Sequence, residues 1–101
     1  MRGNSINNFI DDLLTMGGPE KEFTFRARLF FLETVFDQER SMNKLSLDEY
    51  DNTDSQNQKL FKTHTFWGKT FAECVEQFEV AKIFDGMTIY EAEQEIEVLY
   101  G

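Results

Sequence analysis

The most reactive side chains in this sequence are a single cysteine and a single histidine, Cys74 and His64. A nucleophilic cysteine needs a base beside it, and a structural zinc site needs four soft ligands. Cys74 falls on the apolar side of a predicted helix, where a thiol usually packs as a small hydrophobic residue. The six glycines are scattered and form no phosphate-binding loop. The sequence therefore predicts a noncatalytic protein without a cofactor.

Hard oxygen ligands occur together in the segment 40–57, which contains Asp48, Glu49, Asp51 and Asp54. A calcium-binding loop requires a glycine at its sixth position and a glutamate at its twelfth. Counted from Asp51, those positions hold Gln56 and Lys62, and the count from Asp48 fails in the same way. We therefore expect an exposed acidic loop and no metal site. These four acids remain candidates for contact with a partner.

The strongest charge pattern lies in the last third of the chain, where residues 73–101 hold eight acids and one base, Lys82. On a strand, successive side chains of one face stand about 6.6 Å apart. This spacing is of the same scale as the charge spacing along a nucleic-acid strand. The pattern favours an acidic surface that binds a basic protein and imitates nucleic-acid charge. It comprises Glu91, Glu93, Glu95 and Glu97, extended by Glu73, Glu76 and Glu79 of the preceding helix. The alternative is an exposed edge strand protected by charge.

Two helices and two strands would position most of these residues. Residues 5–16 have apolar side chains at helical spacing, with Ser5 as N-cap and Gly17-Gly18-Pro19 as the stop. Residues 22–37 and 58–67 alternate as half-buried strands, and the simplest connection is a hairpin with a long polar loop at 40–57. Residues 70–84 return to helical spacing after a Thr70–Glu73 capping pattern.

The segment 88–100 is consistent with either secondary structure. Thr88 and Glu91 form a second capping pattern, which favours a helix. The strict alternation of glutamates favours a strand, and we predict the strand. The expected fold is a single α+β domain over residues 1–101, in the order α-β-β-α-β. Its sheet would be mainly antiparallel, with the helices on one face.

Composition restricts the partners and the location. The formal net charge of −9 disfavours direct binding of nucleic acid or anionic lipid and favours basic partners. No run of about 18 apolar residues is present, so no membrane span is expected. The N-terminal segment lacks the unbroken apolar stretch of a signal peptide. A single cysteine in so small a domain favours a reducing cytoplasm.

Three functional hypotheses follow. The first is a small interaction protein whose acidic face binds a basic partner; in style it resembles small, acidic, Phe-rich phage-encoded proteins, including inhibitors of host defence. The second is a structural or assembly component that self-associates or docks in a larger particle, through the first helix or the apolar residues 29–32. The third is a small-molecule binder or enzyme with its site between the sheet and the long loop, and its candidate residues are Arg26, Arg28, His64 and Trp67.

Overall fold

Three helices, a short 3-10 turn and five strands form one α+β domain, in a computed structural model that describes residues 1–15 and 20–101. In chain order the elements are α1 (Ile6–Thr15), β1 (Lys21–Phe25), β2 (Arg28–Asp37), β3 (Met42–Tyr50), β4 (Leu60–Gly68), α2 (Phe71–Val80), α3 (Ile89–Ala92), the 3-10 turn (Glu93–Glu95) and β5 (Ile96–Tyr100). The strands lie in the order β4-β3-β2-β1-β5, and all neighbours are antiparallel. The predicted α+β class is confirmed, with two strands and one short helix more than the predicted order.

Helix α1 begins as its sequence predicts. The Ser5 hydroxyl accepts a hydrogen bond from the backbone N–H of Asn8 at 3.2 Å, which satisfies one of the free donors of the first turn. Phe9, Ile10 and Leu13 are buried. The predicted stop at Gly17-Gly18-Pro19 lies outside the described residues.

The predicted strand 22–37 is two strands joined by a tight turn. Arg26 and Ala27 have φ angles of +48° and +61°, the left-handed conformation that a two-residue hairpin requires at both positions. Phe23 then lies opposite Phe30. Neither turn residue is a glycine or an asparagine, so the usual sequence signal for this turn is absent.

The predicted loop 40–57 is wrong for half of its length, because Met42–Tyr50 forms strand β3, which lies between β4 and β2 in the sheet. Leu45 and Leu47 are fully buried, and Ser46 between them faces the other side. The predicted direct hairpin is therefore also wrong: β2 pairs with β3, and β3 pairs with β4. Of the predicted loop, residues 51–57 are irregular, and this connection continues to residue 59.

The strand predicted over 88–100 is correct only at its end. Residues 89–92 are helical, because Thr88 and Glu91 form a complete capping box in which each side chain accepts from the other's backbone N–H. This arrangement also turns Ile89 and Ala92 into the core. Residues 93–95 continue as a 3-10 turn, and strand geometry begins at Ile96.

The helices cover one face of the sheet, as predicted. The strand residues of the hydrophobic core all belong to this face, and Phe23 and Phe30 stack at its centre with ring centroids 5.2 Å apart. Phe84, from the segment between α2 and α3, packs against Phe30 with ring centroids 5.3 Å apart. Among the described residues, no helix is long and apolar enough to cross a membrane.

Candidate functional site

The opposite face of the sheet is free of helices, and we call it the open face. Directly paired residues of an antiparallel ladder point to the same side, so the strand registers define its members. They are Glu22 and Thr24 on β1; Leu29, Phe31, Glu33, Val35 and Asp37 on β2; Met42, Lys44, Ser46, Asp48 and Tyr50 on β3; Leu60, Thr63, Thr65 and Trp67 on β4; and Glu97 and Tyr100 on β5. This face holds a mixture of aromatic and charged side chains on a rigid scaffold.

Three carboxylates surround Phe31 at the centre of the open face. Glu22 and Asp48 lie directly opposite Phe31 on the two neighbouring strands, which places their Cβ atoms about 5 Å from it. Glu33 is the next residue of β2 on the same face, about 6.6 Å further along. All four side chains are partly exposed. We call this group the acidic triangle.

No cation among the described residues neutralises the acidic triangle. Within the part of the chain that the structure describes, Glu22, Glu33 and Asp48 form no ion pair. Asp48 accepts one hydrogen bond from the Thr63 hydroxyl, at 2.7 Å. An aromatic ring attracts a cation over its face, and nearby carboxylates add charge pairing. The arrangement is therefore suited to an arginine or lysine side chain from another molecule.

Two cations lie over Trp67, on the edge strand of the open face. Trp67 has the Arg40 guanidinium 4.6 Å and the Lys44 ammonium 5.6 Å from the centroid of its ring. Arg40 also pairs with Asp37 at 3.2 Å. The open face thus carries carboxylates around Phe31 and cations around Trp67.

The predicted row of C-terminal glutamates is not formed, because their backbone is helical up to residue 95. Glu91 caps α3, and a backbone hydrogen bond from Thr88 lowers its pKa. Glu93 lies in the 3-10 turn. Hydrogen bonds from Arg26, both at 2.8 Å, hold the pKa of Glu95 below its usual value. Glu97 alone lies on the open face, 3.8 Å from Arg2. The predicted resemblance to a nucleic-acid backbone thus loses its geometric basis.

The three glutamates of α2 do not extend such a row either. Glu73 accepts from the backbone N–H of Lys69 at 2.6 Å and so helps to cap its own helix. Glu76 is exposed. Glu79 accepts a hydrogen bond from the Tyr90 hydroxyl. Desolvation of the phenol, together with Glu79, raises the pKa of Tyr90 to about 12.

The four predicted loop acids are separated by the fold. Asp48 belongs to the acidic triangle, whereas Glu49 is only 2% exposed and lies on the core side of the sheet. Asp51 and Asp54 shape the loop: Asp51 accepts from the Lys59 N–H at 2.8 Å, and the Asn57 amide holds the pKa of Asp54 below its usual value. Among the described residues, no three potential ligands come together for a metal ion.

Three of the four residues suspected under the enzyme hypothesis do meet, in an ionic network beside the core. Arg28 donates to Glu49 at 2.7 Å and to Asp85 at 2.8 Å, and His64 Nε2 lies 3.0 Å from Glu49. Arg26 donates to Asp85 at 3.1 Å. We call this group, together with Glu95, the ionic network.

The charged groups of the ionic network pair with one another. Hydrogen bonds from Arg28 and then Arg26 hold the pKa of Asp85 low, and those from Glu95 and Asp85 raise the pKa of Arg26. No pocket opens among the described residues. The fourth suspect, Trp67, lies on the opposite face of the sheet. The network therefore joins the β1–β2 turn to the Asp85 turn and to β3.

The acidic triangle was missed because its members come from three strands. The alternation of residues 22–25 places Glu22 away from the core, but the apolar run 29–32 does not show which face Glu33 occupies. Completion of the acidic triangle also required β3 to be recognised as a strand with Asp48 facing outward. Comparison with protein-family models, with curated proteins and with solved structures gave no match.

Proposed function

We propose that this chain is a small, noncatalytic interaction protein that binds a basic protein partner through the open face of its sheet. The observation that carries the proposal is the acidic triangle around Phe31. It combines an accessible aromatic ring with three carboxylates that are unpaired within the described residues. An arginine side chain of the partner would stack on the ring and hydrogen-bond to the carboxylates.

The overall charge supports the same class of partner. A net charge of −9 raises the local concentration of basic proteins and speeds their association at low salt. Arg40 and Lys44, over Trp67, would then orient the partner. Because the single cysteine, Cys74, is free and buried, we place this binding in a reducing cytoplasm.

The test uses octa-arginine and octa-lysine peptides as probes of the open face. Backbone amide NMR shifts on addition of octa-arginine should concentrate at Phe31, Glu33 and Asp48. Octa-arginine should bind more tightly than octa-lysine, because a planar guanidinium stacks on an aromatic ring. Affinity should fall steeply as salt is raised, since exposed charges are screened.

A charge-matched pair of triple variants locates the site. Glu22→Gln, Glu33→Gln and Asp48→Asn together remove the acidic triangle, and at about 0.5 kcal/mol for each exposed pair the affinity should fall about tenfold. The control carries the same charge change on the helical layer: Asp11→Asn, Glu76→Gln and Glu93→Gln. Equal losses in the two triple variants would show that net charge alone attracts the peptide and would overturn the proposal.

A further inference from the structure

Strand β4 is an edge of the sheet whose outer side is open. The opposite edge is covered, because the Arg2 N–H donates to the carbonyl of Ile96 at 2.9 Å and the Arg2 carbonyl accepts from Val98 at 2.8 Å. On β4, a bulge at Phe61 is followed by regular pairing with β3. Among the described residues, the one side-chain hydrogen bond to the β4 backbone is that from Gln77 to the carbonyl of Trp67, at 2.6 Å. Residues 62–66 thus offer about 16 Å of unpaired backbone edge.

This edge lies in a basic stretch of an acidic chain. Residues 55–72 contain no acid, the longest such run in the sequence, and they include Lys59, Lys62 and Lys69. None of the three lysines forms an ion pair with another described residue. Just before this stretch of edge, Leu60 and Phe61 are 55% and 68% exposed, respectively. Apolar and positively charged side chains therefore flank an unpaired strand.

We propose that the outer edge of β4 docks an acidic segment of a partner protein in extended conformation, which adds to the sheet as a sixth strand. Backbone hydrogen bonds would supply affinity and alternate side chains specificity. The segment's carboxylates should lie on the helix-covered side, beside Lys62. On the open face, Asp48 already holds the hydroxyl of Thr63 and would repel a second carboxylate there.

A second copy of this chain fits the same edge poorly. Antiparallel pairing of two β4 strands would place Lys62 of both copies on the shared edge, with no acid in the strand to neutralise them. Like charges on neighbouring strands destabilise the pairing. The alternative role of edge lysines is to keep the edge solvated and unpaired. The experiment separates these outcomes.

The probes are two capped eight-residue peptides in which valine alternates with glutamate or with lysine. The glutamate peptide should shift the backbone amide signals of residues 62–66 and protect some of them from hydrogen exchange. It should bind at least about tenfold more tightly than the lysine peptide at low salt, because only the former is attracted to Lys62 and its neighbours. A glutamate peptide with alternate amides N-methylated should lose this binding.

Charge reversal on β4 gives the matched comparison. Lys62→Glu should reverse the preference between the two peptides, whereas Lys82→Glu, the same change at an exposed residue outside the sheet, should leave it unchanged. The proposal is overturned if neither peptide binds, if both bind equally, or if Lys62→Glu has no effect. Sedimentation that shows a dimer abolished by N-methylated peptide would assign the edge to a second copy instead.

Discussion

Replacement of Arg28 tests whether the ionic network stabilises the fold. Glu49 is 2% exposed, and its carboxylate lies 2.7 Å from Arg28 and 3.0 Å from His64. Arg28→Met would leave this buried carboxylate without its closest cation, a change that typically costs about 3–5 kcal/mol. The Arg28 side chain is itself 22% exposed and His64 remains, so we expect about 3 kcal/mol, the lower end.

The loss is measured by urea unfolding followed through Trp67, the single tryptophan. With a slope of about 2 kcal/mol per molar urea, a loss of 3 kcal/mol lowers the midpoint by about 1.5 M. For a domain of this size, the melting temperature should fall by about 12–24 °C. Arg40→Met is the control: its pair with Asp37 is exposed, so the free energy of unfolding should change by less than about 1 kcal/mol.

A second substitution distinguishes a lost ion pair from lost packing. If the cost of Arg28→Met arises from an unpaired buried carboxylate, adding Glu49→Gln should recover about 2 kcal/mol, because the amide is neutral and can still bond His64. Additive losses in the double variant, or a loss below 1 kcal/mol in Arg28→Met alone, would refute this account of the network. Octa-arginine binding at the open face should be unchanged in the folded variants.

Three further outcomes are expected. Arg26 holds the pKa of Glu95 low, so the pair stabilises the fold above a pH of about 4.3, the usual glutamate pKa. This contribution is lost as the pH falls through the lowered pKa. The urea midpoint of Arg26→Gln should therefore be lower than that of the wild type at pH 7 and equal to it in strong acid. Burial raises the pKa of the Cys74 thiol, so reaction with a disulfide reagent should be slow in the native state and become fast in urea. Ala27→Gly should raise the free energy of unfolding by about 1 kcal/mol, because φ is +61° there; a loss of stability would contradict the turn geometry.

The helices could be predicted because their signals are local. Ser5, Thr70 and Thr88 each accept the hydrogen bond that their capping patterns predict. The alternating apolar residues likewise predicted β1, β2 and β4 as strand, and hence the α+β class. At residues 88–95 two local signals conflicted. The capping box prevailed because it satisfies backbone donors and buries Ile89 and Ala92 at the same time.

Strand β3 and the site could not be predicted, because each depends on residues distant in sequence. Glu49 occupies a core-side position of β3, and a buried carboxylate breaks the expected alternation until Arg28 and His64 are known to satisfy it. The turn at Arg26 lacks the usual residue types, and ion pairs to Asp85 and Glu95 hold it. Without β3, Asp48 had no assigned place on the open face.

The distribution of cations explains why two surfaces of opposite sign coexist on one small domain. All four arginines form ion pairs, whereas Lys21 is the one paired lysine in the described part of the chain. Arginine suits this role because its fork can bond two carboxylates at once, as Arg26 and Arg28 do. Three of the other five lysines flank or lie on β4, and Lys62 faces the side of the sheet opposite to the acidic triangle. Under the two proposals, a basic partner would bind at the open face and an acidic strand at the β4 edge, so that geometry rather than net charge decides where each one binds.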